Sequence, residues 1–137
     1  MTITDFGDDR YCFICGENNP SGLQLSPQGK NGEGTIRWVP SREYQGYTGV
    51  LHGGIVSALL DEAMAYAAMS VVERAATVEI TINYRKPVST DEPLTASAKV
   101  IEHRGRIIRT SARILQAGVE KVTAIAKFIA VPVPGKE

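Results

Sequence analysis

The segment His52-Gly53-Gly54 and the carboxylate of Asp61, nine residues after the histidine, are residue types suited to acyl transfer. A helix that begins after His52 would direct its first backbone N–H groups, at the positive end of its dipole, toward an oxygen that gains negative charge. No Ser, Thr, Asp or Asn occupies the usual capping position, so we expect these N–H groups to be open to an outside acceptor. The two glycines place no β-carbon in the way of that oxygen. The alternative interpretation is a glycine-rich loop with unusual backbone angles.

Asp61 lies in a stretch, 54–72, that is apolar on nearly all sides, where an unpaired carboxylate is costly. We therefore expect it to be either paired or used as a general base, with Thr77 as a hydrogen-bond donor that orients it. A bond to neighbouring backbone, or a salt bridge with Arg85 or Arg104, is the structural alternative.

Hydrophobic periodicity predicts the elements that position these residues. An alternating strand over 33–39 ends at Pro40, and good helix formers fill 54–72. Four further segments alternate with period two and are separated by short turns: 78–84, 94–100, 108–114 and 122–130. The segment before residue 33 is rich in Gly, Asn, Pro and Gln, which is typical of irregular structure.

Short turns imply antiparallel neighbours, and one long apolar helix must be covered by the sheet that it reaches. The predicted fold class is α+β, a five-stranded antiparallel sheet wrapped around one central helix. We divide the chain into an irregular lead-in at 1–32, one domain at 33–131 and a tail at 132–137. Apolar residues on the second face of the sheet predict contact with another subunit. They are Ile101, Ile107, Leu115 and Ile125.

The composition excludes several classes of partner. Fifteen basic and fifteen acidic residues cancel, so no global charge draws the chain to nucleic acid or to an anionic membrane. Asp61 and Glu62 interrupt the most apolar stretch, which argues against a membrane-spanning helix. The first ten residues lack an apolar run, and we expect a cytoplasmic location.

Cys12 and Cys15 are too few for a secreted disulfide scaffold, and we expect reduced, partly buried thiols. The pair is also half of a zinc site, but no second Cys or His pair follows, so zinc shared between subunits is an alternative and a redox pair another. His52 and His103 are too few for the usual metal hydrolase, and no Gly-x-Ser-x-Gly occurs. We predict no metal and no cofactor.

Together, His52-Gly53-Gly54, the helix 55–63, Thr77 and the amino-terminal segment 12–23 resemble the hotdog-fold thioesterases of the PaaI-like type, especially the branch of thioesterase-superfamily-member proteins. The resemblance covers about residues 11–131. It implies a hotdog fold and an enzyme that hydrolyses an acyl-CoA to a free acid and CoA without a cofactor.

The resemblance also implies residue roles. Asp61 would be the nucleophile or general base, the N–H of Gly53 or Gly54 would polarise the thioester carbonyl, Thr77 would orient the water or the acid, and His52 would brace the loop. Members of this family build each site between two subunits of a homodimer, and many are dimers of dimers.

Coenzyme A requires local positive charge for its phosphates and an apolar channel for its pantetheine. Gln45 stands beside Gly46, where some relatives carry an amide that holds the water, and Tyr47 and Ser57 lie near the predicted site. The charged candidates are equally well explained as solvated turn residues. Our candidate substrate-binding residues are Gln45, Tyr47, Ser57, Arg85, Lys86, His103, Arg104 and Arg106.

Two other functions fit the same fold. A hydratase or dehydratase would call for a His and acid pair, and the Asp-x-x-x-x-His pattern of that branch does not occur. A non-catalytic acyl-CoA sensor is the alternative of a different class. The chain has no DNA-binding extension and retains Asp61, so we favour the enzyme.

Overall fold

The computed structural model describes residues 6–135. Within this range the chain forms one α-helix, six strands and one turn of 3-10 helix at Arg42–Tyr44. The strands and the helix follow in the order β1 Gln28–Lys30, β2 Glu33–Trp38, α1 Gly53–Met69, β3 Ala75–Tyr84, β4 Leu94–Arg104, β5 Ile107–Gln116 and β6 Val119–Ala130.

All strand pairs are antiparallel, and the sheet has the order β1-β2-β4-β5-β6-β3. This arrangement around α1 confirms the predicted α+β hotdog fold. The predicted number of strands was one too few, because β1 lies inside the segment 1–32 that we expected to be irregular. Asn31 and Gly32 have φ angles of 53° and 79° and turn the chain from β1 into β2, a conformation typical of a two-residue hairpin.

The helix α1 packs its apolar side chains against one face of the sheet. Leu59, Leu60 and Met64 are completely buried there. Gly34 in β2 allows the closest approach, since a β-carbon at that position would lie 2.1 Å from the backbone oxygen of Ala63. Over residues 6–135, no helix combines the length and the hydrophobicity needed to cross a bilayer.

Strand β3 occupies one edge of the sheet, and no described strand pairs with its outer side. It is ten residues long, and Val78 and Tyr84 are 52% and 54% exposed. Long, exposed edge strands readily pair with another chain. On the outer face of the sheet, Ile101 and Ile125 are also more than half exposed in a single chain.

Candidate active site

The side chain of His52 caps α1. Its Nδ1 accepts a hydrogen bond of 2.8 Å from the N–H of Gly54, and its carbonyl accepts bonds from the N–H groups of Ile55 and Val56 at 2.9 and 3.0 Å. Our expectation that the helix start lacks a capping side chain is therefore wrong. The reason is geometric, because Nδ1 is as many bonds from the backbone as the side-chain oxygen of Asn, a common cap.

The cap leaves one backbone donor of this motif open. The N–H of Gly53 has no acceptor among the described residues, whereas the N–H of Gly54 is engaged by His52. Gly53 also lies at the positive end of the helix dipole. Of the two glycines that were predicted as oxyanion donors, Gly53 is the one whose N–H is free.

A cleft of about 300 Å³ lies beside Gly53. Tyr84, at the end of β3, donates a hydrogen bond of 2.7 Å from its hydroxyl to the carbonyl of Gly53. The cleft is lined on its apolar side by Val56, Val88 and Val122. Sequence reasoning did not select Tyr84, although its place at the end of a strand directly before Arg85-Lys86 was a usable signal.

Asp61 and Thr77 contact each other as predicted. The Thr77 hydroxyl donates a hydrogen bond of 2.7 Å to Oδ1 of Asp61. A β-bulge between Thr77 and Glu79 interrupts the strand at this point, and bulges commonly re-aim a side chain next to a site. Asp61 is half-buried in a single chain, and its carboxylate forms no salt bridge within residues 6–135. The salt bridge to Arg85 or Arg104 that we considered is absent from that part of the chain.

Glu62, the next residue, has different partners from Asp61. Its carboxylate faces the amino-terminal segment and lies 3.7 Å from the sulfur of Cys12. Burial is the main cause that raises the pKa of Glu62, and burial likewise raises the pKa of the Cys15 thiol to about 12. The two adjacent acids therefore belong to separate sites.

Within one chain, the open donor and the carboxylate are far apart. Gly53 and Asp61 are eight residues apart on α1, which corresponds to about 12 Å along the helix axis. Tyr84 and Thr77, which contact them, lie toward opposite ends of β3. The reacting carbonyl must lie about 3 Å from both the attacking nucleophile and the oxyanion donor. Asp61 acts on that carbonyl directly or through one water, so a single chain does not bring Asp61 and Gly53 to the same carbonyl.

Two of the predicted CoA-binding residues line the Gly53 cleft. Arg85 and Lys86 are exposed, and both donate their backbone N–H to the carbonyl of Lys121, at 3.0 and 2.9 Å. Neither side chain forms an ion pair with a residue in the range 6–135. Their charges are therefore available next to the open donor.

Three other predicted residues lie near the helix start. Ser57 donates its hydroxyl to the carbonyl of Gly54 at 2.8 Å. Gln45 accepts a bond of 3.0 Å from the N–H of Gly49, so its carbonyl oxygen braces the loop. Tyr47 is 88% exposed, and its ring makes little contact within a single chain.

The turn that contains His103, Arg104 and Arg106 lies at the other end of the sheet. The strand register places Arg104 in the row that leads to Ala76, at the start of β3, while Gly53 lies beside the end of β3. Arg106 donates two hydrogen bonds to the carbonyl of Ala130, and Nε2 of His103 lies 3.0 Å from the carbonyl of Gly105. The structure does not bring these residues to the Arg85-Lys86 cleft.

Comparison with known proteins gives a consistent result. Residues 48–123, more than half of the chain, match the model of the thioesterase superfamily. The "Putative esterase" of Archaeoglobus fulgidus is 32% identical over 98 residues, which are 72% of this chain and 63% of that protein. Among solved structures, the thioesterase superfamily protein RHA08564 superposes with a TM-score of 0.80 at 27% identity, over 88% of this chain and 60% of that one.

A hypothetical thioesterase of Streptococcus pneumoniae, solved with coenzyme A, superposes with a TM-score of 0.74 at 18% identity. The match covers 80% of this chain and 87% of the streptococcal chain. By contrast, the present chain spans less than two thirds of the length of the archaeal relative and of RHA08564. The residues that match the model of the thioesterase superfamily include both Gly53 and Asp61.

Proposed function

The chain belongs to the thioesterase superfamily, and on this premise we propose that it hydrolyses an acyl-CoA thioester to a free acid and CoA. The observation that carries the proposal is the hydrogen bond of 2.7 Å from Thr77 to Asp61. It fixes one carboxylate oxygen and leaves the other, which bonds to no described residue, to act on a water or on the substrate. A thioester has weak resonance and a good leaving group, so one carboxylate and one oxyanion donor suffice.

In the general-base route, Asp61 takes a proton from a water whose oxygen attacks the thioester carbonyl. The oxyanion that forms is stabilised by the N–H of Gly53 and the helix dipole. When the carbon–sulfur bond breaks, the CoA thiolate leaves and takes up a proton. In the nucleophilic route, Asp61 attacks the carbonyl itself, and water then hydrolyses the acyl-aspartate. The same residues serve both routes.

We propose that the site forms between two subunits. The midpoint between Thr77 and Tyr84 on β3 falls between Ile80 and Thr81. If two β3 edges pair antiparallel about a two-fold axis through Ile80 or Thr81, that residue lies opposite its own copy, and Thr77 of each chain lies within about one residue of the position opposite Tyr84 of the other. The carboxylate of Asp61 in one chain is then brought toward the Gly53 end of the other helix. Each dimer has two such sites, and the exposed outer face of the sheet favours a dimer of dimers.

The proposed position of CoA follows from the cleft beside Gly53. Arg85 and Lys86 supply positive charge for the phosphates, and the valine-lined side of the cleft suits an apolar chain. The coenzyme A held by the streptococcal structure of the same fold is consistent with this ligand class. Gln45, Tyr47, Ser57 and the turn residues His103, Arg104 and Arg106 stay predictions as substrate contacts. We propose a cytoplasmic location, because two cysteines are too few for a secreted disulfide scaffold.

Thiol release from a panel of aliphatic and aromatic acyl-CoAs tests the proposal, with native protein compared with Asp61→Asn. We expect the substitution to lower kcat by roughly 100- to 10,000-fold, since it removes the base but keeps the side-chain volume. Asp91→Asn is the matched control, because Asp91 is exposed and its φ of 64° suits asparagine. Native protein that binds acyl-CoAs without releasing CoA would favour the sensor, and full activity of Asp61→Asn would remove Asp61 from the mechanism.

A further inference from the structure

The amino-terminal turn 12–16 brings two thiols together in a fixed geometry. The sulfur of Cys12 accepts hydrogen bonds from the N–H groups of Ile14 and Cys15, both at 3.4 Å, and the N–H of Gly16 donates to the Cys12 carbonyl at 2.8 Å. N–H groups directed at a sulfur stabilise a thiolate, which is the form that binds metals. This turn therefore directs two backbone N–H groups at the sulfur of Cys12, an arrangement that suits a metal-bound sulfur.

The turn is rigid for two further reasons. A β-carbon on Gly16 would lie 2.3 Å from the Cys12 nitrogen, so the sharp turn requires glycine. Ile14 is 5% exposed, and its carbonyl accepts a bond of 2.8 Å from the N–H of Leu25, which fastens the turn to the following segment. A binding site gains affinity when its ligands are held in place before binding.

Helix α1 supplies a third ligand atom to this turn. The two carboxylate oxygens of Glu62 lie 3.8 and 3.7 Å from the sulfur of Cys12. One ligand atom from each of Cys12, Cys15 and Glu62 lies within 4.8 Å of the others. In a tetrahedral zinc site, metal–sulfur and metal–oxygen bonds of about 2.3 and 2.1 Å place sulfur and oxygen about 3.6 Å apart. The separation between Cys12 and Glu62 thus fits tetrahedral zinc as it stands.

The arginines near this cluster have other partners than Glu62. Arg10 is paired with Glu17 at 2.9 Å, and Arg74 donates a hydrogen bond to the backbone carbonyl of Phe6. Glu62 forms no salt bridge within residues 6–135. A half-buried carboxylate beside two thiols, with both nearby arginines engaged elsewhere, favours a bound metal ion as its counter-charge.

We propose that Cys12, Cys15 and Glu62 of a single chain form a zinc-binding site that joins the amino-terminal segment to α1. On binding, both thiols release their protons to solvent and the carboxylate completes a set of three protein ligands. A cavity of about 110 Å³, lined by both cysteines, Asp8 and Tyr66, adjoins the turn, and a water held there would complete the tetrahedron. The proposed thioester hydrolysis uses no metal, so this site has a structural role.

Cobalt and zinc titrations of the full chain, reduced and stripped of metal, test this site. We expect one Co²⁺ per chain, with the near-ultraviolet charge-transfer band of thiolate ligands and the visible bands of tetrahedral cobalt, and we expect Zn²⁺ to displace it. Loss of a partner that only supports a ligand weakens metal binding about 10- to 100-fold, so Glu62→Gln, which removes a ligand, should weaken it by at least about 100-fold. Glu92→Gln, an exposed carboxylate in the turn between β3 and β4 and outside the ligand set, should bind within about twofold of native.

Circular dichroism of each metal-free variant establishes that it is folded, and a rise in Tm with added Zn²⁺ gives a second measurement that does not depend on the cobalt spectrum. The site is supported if Zn²⁺ raises the Tm of native protein and of Glu92→Gln but not of Glu62→Gln or Cys12→Ser. The site is overturned by a native cobalt spectrum without a thiolate band. Equal affinity of native protein and Glu62→Gln would also overturn it.

Discussion

Nδ1 of His52 and the backbone N–H of Gly54 form a hydrogen bond of 2.8 Å at the start of α1. This bond fills the one donor that a capping side chain reaches, and the N–H of Gly53 remains open. The two glycines of the motif therefore have different functions. Gly54 lets the histidine close the cap, since a β-carbon there would lie 3.1 Å from Nδ1, and Gly53 presents its N–H to the substrate.

Gly53→Pro removes the proposed oxyanion donor with little disturbance of the helix. Proline is favoured at the first helical position, and His52 before it already has φ −56° and ψ 132°, which proline permits. We expect kcat to fall by roughly 100- to 1,000-fold. Gly53→Ala is the control, since it keeps the N–H and its β-carbon would make ordinary contacts of 3.7 Å with Tyr84. Steady-state kinetics with one acyl-CoA measures both, and equal losses in the two variants would argue against the N–H.

Thr77→Val tests the support that Asp61 receives. Valine keeps the branched shape that suits β3 but cannot donate the bond of 2.7 Å. Hydrogen bonds to charged groups contribute about 1.5–3 kcal/mol, so kcat should fall roughly 10- to 100-fold. Thr77→Ser should recover most of the activity because it restores the hydroxyl. Thr95→Val, on β4, is the matched control, and an unchanged kcat in Thr77→Val would remove Thr77 from the site.

Thr110 offers a test of the core that is independent of the site. It is completely buried on β5, and its hydroxyl oxygen finds no hydrogen-bond partner among the described residues. Because a buried hydroxyl without a partner is destabilising, Thr110→Val should raise the free energy of unfolding by about 1 kcal/mol. Urea denaturation measures this, with Thr123→Val on the half-buried outer face as a control expected to stay within about 0.5 kcal/mol of native. A loss of stability in Thr110→Val would show that the hydroxyl is satisfied.

Most of the fold could be predicted because its burial follows a simple period. Strands β4 to β6 alternate buried and exposed residues over much of their length, and α1 is apolar on the sides that the sheet covers. Strand β1 escaped prediction because its three residues are all exposed and carry no hydrophobic alternation. The only local signal was the dipeptide Asn31-Gly32. It predicts a hairpin only when the segments on both sides have the hydrophobic alternation of strands.

The site could be predicted where a familiar motif contains both residues and not where the contact depends only on how two distant segments pack. We expected Thr77 to donate to Asp61 because a buried carboxylate needs a donor and because the resemblance implies this role for Thr77, and the structure joins the two. The Cys12 sulfur and Glu62 are 50 residues apart, and their proximity depends on how the amino-terminal segment packs on α1. No local pattern contains that information, which is why the third ligand of the Cys12-x-x-Cys15 turn emerged only in three dimensions.

The proposed division of the site between subunits predicts that two inactive variants restore each other. In a dimer of one Asp61→Asn chain and one Gly53→Pro chain, one site contains both substitutions and the other contains neither. Mixed dimers, purified by two different affinity tags after co-expression, should therefore have about half of the native kcat per dimer.

Dimers of each variant with itself, carrying the same two tags, are the controls and should stay at their low parental activities. If Asp61 and Gly53 of the same chain served one site, every site in the mixed dimer would contain one of the two substitutions. The activity of the mixed dimer would then lie between the activities of the two single-variant dimers. That outcome would contradict pairing through β3. Half-native activity would instead place the base and the oxyanion donor on different chains, as the separation of about 12 Å along α1 requires.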